Sequence, residues 1–339
     1  MGDKHRVRFE PVGIEIEVPE EQTVLRSAFE QGLMLMHGCK EGQCAACKSF
    51  VLDGDDIELD RYSTFALPDY EREEGFTLLC RAHVYEDVTI ELLNFDEEMI
   101  RSGLPIQQAV AEVVSITPVT HDLRHLVLRL IEPAEIMFFP GQYMDIAVPG
   151  TDVTRSFSMA NTAGPLEFVI KVYPGGVFSS FLDGRLAVGD RLELTGPYGV
   201  FTLRDAPDRD VVLVGGGAGL APILAVLRSM AERGIRRKGT FYYGARTRAD
   251  LCFLDEIGAL VARLPDFAFV PALSEDEWDG EVGFVTDVLR RFETDLRNAD
   301  AYVCGPPPMV EAAMPVLESL GVPAKHIYYD KFTTTGGED

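Results

Sequence analysis

The stretch "HGCKEGQCAACKSF", residues 37–50, contains Cys39, Cys44 and Cys47, three of the six cysteines in a chain of 339 residues. Their spacing is C-x4-C-x2-C, and Cys80 follows after 32 intervening positions in "TLLCRAH". Four thiolates at this spacing suit a [2Fe–2S] cluster, in which two tetrahedral irons share two sulfides and take two thiolates each. A loop that wraps such a cluster brings backbone N–H groups close to sulfur, and Gly38, Gly42, Ala45 and Ala46 keep side chains out of that space. Zinc is the competing reading, but its structural sites usually combine two close cysteine pairs, and the sequence has one. A Rieske centre requires two histidine ligands. His37 has no mate beside the cysteines and reads as a packed or surface residue.

Two further segments have residues suited to phosphate. In "TRSFSMAN" (154–161), Arg155 beside Ser156 and Ser158 at a strand end can grip a pyrophosphate through its guanidinium fork. In "KVYPGGVFSSFL" (171–182), Gly175 and Gly176 lead into a helix whose first N–H groups suit the same phosphates. "VLVGGGAGLAP" (212–222) reads as a strand, a glycine turn through Gly215, Gly216, Gly217, Ala218 and Gly219, and a helix start at Pro222. It does not match G-x-G-x-x-G cleanly, yet a second pyrophosphate would suit its helix N-terminus. Cys304, in "VCGPPPMV", has the default reading of a small buried hydrophobe at a strand end, and Cys252 in "DLCFLDE" reads as core.

The elements that must position these residues fall into three blocks. Residues 6–18 alternate as a hairpin, "TVLRSAFEQ" is helical up to Gly32, and "CKSFVLDG" and "VTIELL" add strands around the cysteine loop, an α+β unit. A polar linker follows. Six short strands from "VAEVVSIT" to "RLELTG" then suggest an antiparallel β-barrel. From Asp210, strands and helices alternate, among them the helical run "DLCFLDEIGALVAR", as in a doubly wound α/β sheet. The expected domains are 1–97, a linker at 98–108, 109–207 and 208–339.

Composition bounds the function. With 31 Lys and Arg against 55 Asp and Glu the net charge is −24, which argues against a nucleic-acid partner, since phosphate binding requires clustered Lys and Arg. Residues 1–100 carry 9 of those basic and 23 of those acidic residues, a net −14 beside the cysteine loop, which suggests a face that steers onto a basic partner. The most apolar run, 211–227, has 17 residues with four glycines and a proline, so no membrane span is expected. The N-terminus "MGDKHRVRFE" lacks a secretory h-region. A cytoplasmic location and a monomer are the expectations.

The motifs together resemble the ferredoxin–NADP reductase superfamily. "RSFS" is similar to its R-x-[YF]-S signature, "GGVFS" to GG-[VM]-x-S, "GGGAGLAP" to its nucleotide turn and "CGPPPM" to C-G-P-x-x-M. The resemblance implies an FAD site with Arg155 on the pyrophosphate and Phe157 and Ser158 beside the isoalloxazine. Ser156, Lys171, Val172, Gly175, Gly176, Val177 and Ser179 complete that set, with Ser179 at the phosphate. Phe157 stands where tyrosine is common, which removes a hydroxyl contact to the flavin. It implies a nicotinamide site with Gly215, Gly216, Gly217, Ala218, Gly219 and Pro222 on the dinucleotide, and Gly244 and Arg246 of "YGARTRADL" toward the adenosine. Cys304, Gly305, Pro306 and Met309 would lie at the nicotinamide, with Ser158 and Cys304 as the catalytic pair. Phe332 in "YYDKF" would approach the flavin. Arg246 and Arg248 leave NADPH open, but the resemblance favours NADH, and the ferredoxin-first order favours FAD over FMN.

The order of blocks is similar to the reductase components of soluble di-iron monooxygenases. It implies electron flow from NADH to FAD to [2Fe–2S] to a hydroxylase docking near the acidic ferredoxin block. A Rieske dioxygenase or a cytochrome P450 is the alternative recipient.

Overall fold

The computed structural model describes residues 2–95, 97, 100 and 103–332. The chain forms two compact units. One runs to Ile106 and includes Tyr198–Val200, and the other comprises Gln107–Pro197 and the residues from Phe201 onward.

In the first unit, strands are ordered Ile14–Pro19, Lys4–Glu10, Val88–Leu92, Lys48–Asp53, Phe76–Leu78. Lys4–Glu10 pairs in parallel with Val88–Leu92 and the other pairs are antiparallel. The helix Val24–Glu30 starts where the Thr23 hydroxyl accepts the Arg26 N–H, and Gly32 at φ +78 turns the chain away from it. Its buried face, Val24, Leu25, Ala28 and Phe29, shares one apolar core with Val7, Phe9, Ile90 and, notably, Cys47 and Cys80. The lone distant cysteine and the nearest cysteine of the loop are therefore rooted in the same core. Ile57–Leu59 and Ala82–Val84 form a separate two-stranded sheet. Of the expected linker, residues 98, 99, 101 and 102 lie outside the described residues, and Gln107 already begins the strand Gln107–Pro118.

The second unit contains two sheets. The first has six strands in the order Thr154–Ser158, Tyr143–Ala147, Arg191–Tyr198, Gln107–Pro118, Leu123–Glu132, Leu166–Lys171. A bridge from Met159 to Phe168, with the Ala160 N–H donating to the Glu167 carbonyl at 2.7 Å, links its two edges and nearly closes a barrel. The second sheet is parallel, ordered Glu281–Val282, Phe267–Leu273, Gly239–Ala245, Asp210–Gly216, Ala299–Gly305, Ile327–Lys331. From Asp210–Gly216 the chain builds outward on one side, then returns to build on the other. That reversal opens a crevice at the carboxyl end of the strand, where the glycine turn lies. Alternate residues feed two cores: Val211, Leu213, Phe241 and Tyr243 pack with the helix Leu220–Arg233, and Val212, Val214 and Tyr242 with residues of Val285–Phe292 and Pro307–Ser319.

One helix departs from expectation. The run beginning at Asp250 is not helical throughout: the helix spans Leu254–Val261, because Leu251 is extended and Phe253 sits at φ +57. Ahead of it, Arg248–Asp250 forms a short 3-10 turn closed by reciprocal hydrogen bonds between Thr247 and Asp250. Among the described residues no helix is long and apolar enough to cross a membrane.

Candidate functional site

The cysteine loop is held in a conformation that side chains rarely adopt. Lys40 at φ 60, Gly42 at φ 71 and Ala45 at φ 58 are all left-handed, and two of the three are not glycine. These turns aim backbone N–H groups inward: Glu41 and Gln43 donate to Cys39 Sγ at 3.4 and 3.2 Å, and Cys39 donates to Cys44 Sγ at 3.2 Å. A Cβ on Gly38 would lie 2.8 Å from Cys44 Sγ. The thiols approach in two pairs, Cys39 hydrogen-bonded to Cys44 and Cys47 to Cys80. The Cys44 thiol and then the N–H groups of Gln43 and Glu41 bring Cys39 down to about 6, toward the thiolate that a metal requires. Among the described residues, three or more ligand atoms converge within 4.8 Å at His121, Asp122 and Asp250 alone. A single zinc requires all its donors around one point, whereas two irons, each taking one pair, fit this arrangement of sulfur and N–H donors. The loop thus fits a [2Fe–2S] cluster held by Cys39, Cys44, Cys47 and Cys80.

His37 is buried, as a packed histidine should be. Its Nδ1 donates to the Leu35 carbonyl at 2.7 Å, and its Nε2 accepts the Gly199 N–H at 3.1 Å. Burial lowers it to about 4, so it stays neutral. No pattern in the sequence marks Phe65. It is 95% exposed, on a loop tied to the cysteine loop by the Ser63 N–H donating to the Gly42 carbonyl at 3.0 Å.

In the barrel, Arg155 and Phe157 share one face of the strand Thr154–Ser158, and Ser156 and Ser158 the other. Ser156 donates to Asp145 at 2.6 Å, and Ser158 is buried. The rings of Phe157 and Phe178 lie 4.5 Å apart, which joins this strand to the helix Val177–Gly184. Gly176 caps that helix without a side-chain hydrogen bond, leaving its first N–H groups for a phosphate. The Ser179 hydroxyl accepts the Tyr173 N–H at 2.9 Å and so fixes the turn at Gly175, where φ is +75. Val177 is exposed and the Val172 N–H donates to the Asp122 carbonyl at 2.8 Å. Lys171 lies 2.9 Å from the Asp122 carboxylate, so its charge is already partnered within the protein.

The nicotinamide candidates converge through backbone. Gly215 pairs with Cys304, and a Cβ on Gly219 would lie 2.2 Å from the Cys304 carbonyl oxygen. A Cβ on Gly216 would meet Met309 Sδ at 2.8 Å and the Gly244 carbonyl oxygen at 3.2 Å. The Phe332 N–H donates to the Gly305 carbonyl at 3.1 Å, and Pro306 caps the helix that carries Met309. Gly217 differs: it is left-handed, at φ +55, with open space where a side chain would go. Pro222 occupies the first turn of Leu220–Arg233, where its missing N–H costs no helical hydrogen bond. No side chain caps that helix, and Ala218 flanks its start. Cys304 is fully buried and burial pushes its thiol far up, so it is neutral. Arg246 is exposed, 3.8 Å from Asp250, and the Arg248 N–H donates to Asp276 at 2.8 Å. Cys252 is core, within 3.4 Å of the buried Tyr243 hydroxyl.

Three family models match successive parts of the chain. Residues 7–85 match the family model of the 2Fe-2S iron-sulfur cluster binding domain, 110–203 the oxidoreductase FAD-binding domain, and 213–314 the oxidoreductase NAD-binding domain. The chain is 52% identical to the reductase component of propane 2-monooxygenase from Mycolicibacterium smegmatis, over 98% of this chain and 99% of that one. It is 36% identical to the reductase component of phenol 2-monooxygenase from a Pseudomonas species, over 97% and 95%. Among solved structures, the cytochrome P450 reductase of Amycolatopsis superposes with a TM-score of 0.86 at 32% identity, covering 97% of this chain and 99% of that one.

Proposed function

Because this chain belongs to the family of iron–sulfur flavoprotein reductases that serve multicomponent oxygenases, we propose that its recipient is the hydroxylase of a di-iron monooxygenase of the propane-oxidising type. The chain is an NADH oxidoreductase with FAD and [2Fe–2S] cofactors and an oxygenase partner. When bound, these groups turn one hydride from NADH into single electrons leaving through the cluster.

In this reading the protein supplies position and charge. Cys39, Cys44, Cys47 and Cys80 hold the cluster, and the N–H groups of Glu41 and Gln43 offset the thiolate charge at Cys39. Arg155 and the N-terminus of Val177–Gly184 take the FAD pyrophosphate, with Phe157 and Ser158 at the ring. The turn Gly215–Gly219 takes the NADH pyrophosphate at the N-terminus of Leu220–Arg233, whose first N–H groups no side chain caps. Cys304, neutral and small, lines the nicotinamide. The acidic first unit, with Phe65 protruding beside the cysteine loop, is the docking face for a basic patch on the hydroxylase, and the reductase acts as a cytoplasmic monomer.

The observation that favours this recipient is the 52% identity along nearly the whole chain to a propane 2-monooxygenase reductase, against 36% for a phenol-oxidising relative. A second reading, delivery to a cytochrome P450, is favoured by the superposition on the Amycolatopsis reductase. Reconstitution separates them. Mixed with the other components of a propane monooxygenase, the reductase should support NADH-dependent propane oxidation. Turnover with a P450 and none with the di-iron hydroxylase would replace the first reading by the second.

A further inference from the structure

We propose that Arg228 is a positioning residue for hydride transfer, fixing the end of the flavin-facing strand to the helix that begins at the glycine turn. The proposal rests on the reading of Thr154–Ser158 as flavin-binding and of Gly215–Gly219 as dinucleotide-binding.

Arg228 lies about two turns into the helix Leu220–Arg233. Its Nη1 donates to the Ala160 carbonyl at 2.9 Å and to Glu167 Oε2 at 2.9 Å, while its Nε donates to Glu256 Oε1 at 2.7 Å. Ala160 is fully buried, two residues beyond Ser158, in the same apolar cluster as Leu220, Ile223 and Leu224. Because the Ala160 N–H also donates to the Glu167 carbonyl, Arg228 holds both sides of the bridge that nearly closes the barrel. A lysine has one ammonium and cannot span three such acceptors, whereas the planar guanidinium does.

The contacts close into a ring. Glu167 Oε2 lies 3.2 Å from His125 Nε2, and the His125 ring meets the Phe253 ring edge-on at 5.4 Å. Phe253 is the left-handed residue that starts the helix Leu254–Val261, and that helix carries Glu256 back to Arg228. The strained start of this helix thereby gains a reason: it sets Glu256 and Phe253 on either side of one clamp. Hydride transfer depends on the donor and acceptor atoms being held at about 3–3.5 Å, and a misplacement of about 1 Å can cost on the order of a hundredfold. Arg228 ties together the two segments whose spacing sets that distance.

The test uses the full-length protein loaded with FAD and cluster, as wild type, Arg228→Lys and Arg228→Met. Anaerobic stopped-flow mixing with NADH gives the limiting rate of flavin bleaching, the NADH affinity, and the long-wavelength absorbance of nicotinamide stacked on flavin. The limiting rate should fall at least about tenfold in Arg228→Met and less in Arg228→Lys, with weakened stacking absorbance and NADH affinity within about twofold of wild type. Reduction by dithionite should be unchanged in both. If Arg228→Met fails to accumulate, Arg228→Lys carries the test alone. Limiting rates within about twofold of wild type, with a lowered unfolding temperature, would make Arg228 a purely structural ion pair and overturn the proposal. Failure of NADH to reduce the wild-type flavin would instead overturn the cofactor reading, and the proposal with it.

Discussion

In the proposed reading the cysteine loop and the glycine turn each take a charged group on backbone N–H donors, but the two segments are shaped by opposite means. In the loop, Lys40 and Ala45 accept left-handed strain so that N–H groups can face sulfur. In the turn, the chain is mostly relaxed, and space comes from omitting side chains where backbone meets backbone, as at Gly219 against the Cys304 carbonyl. Strain must be sustained by whatever anchors the loop, and two of the four proposed ligands, Cys47 and Cys80, are anchored in the core. Close packing needs no such support. Its sensitivity is to volume alone.

This contrast orders the expected effects of substitution. The largest is Cys80→Ser, which removes one ligand of a pair: iron content and electron delivery to the oxygenase should be lost, while NADH oxidation with ferricyanide as acceptor persists. Full retention of iron would refute the ligand assignment. Next is Gly219→Ala, whose Cβ would lie 2.2 Å from backbone. Overpacking of this kind costs about 1–3 kcal/mol, and flavin reduction by NADH should fall by at least about tenfold with the cluster spectrum intact. Gly217→Ala adds a methyl in open space and pays only for its left-handed φ, about 1–2 kcal/mol by general estimates, so its loss should be smaller. Equal losses at the two glycines would show that volume is not what governs the turn. The smallest effect is ionic: with −14 of the net charge in residues 1–100, delivery to the oxygenase should decline a few-fold as salt screens the encounter, and flavin reduction should not. A salt-independent delivery rate would leave the acidic face as a solubility device.

Much of the site was legible because its signals are local. The spacing of Cys39, Cys44 and Cys47, the glycines between strand and helix, and Thr23 with Gly32 around a helix each act within a few residues of themselves. What escaped depends on distant partners. Arg228 meets Ala160 and Glu167 from 68 and 61 positions away, and nothing near it in sequence marks it out. The short strands Ile57–Leu59 and Phe76–Leu78 exist through pairing with Ala82–Val84 and Lys48–Asp53, too brief for any periodicity of their own. The apolar pattern of the helix beginning at Leu254 runs on through Phe253, so the sequence alone starts it too early, while the backbone there turns left-handed and Phe253 meets His125. Phe65 carried no signal, since exposure of a lone aromatic is a property of the folded loop.

The central claim is a single chain of electron carriers within this polypeptide, and an anaerobic visible titration with NADH tests it most directly. Flavin bands and the broad iron–sulfur absorption should both bleach in wild type, and only the flavin bands should be present to bleach in Cys80→Ser. Iron–sulfur absorption that stays unbleached in wild type while the flavin is fully reduced would contradict it.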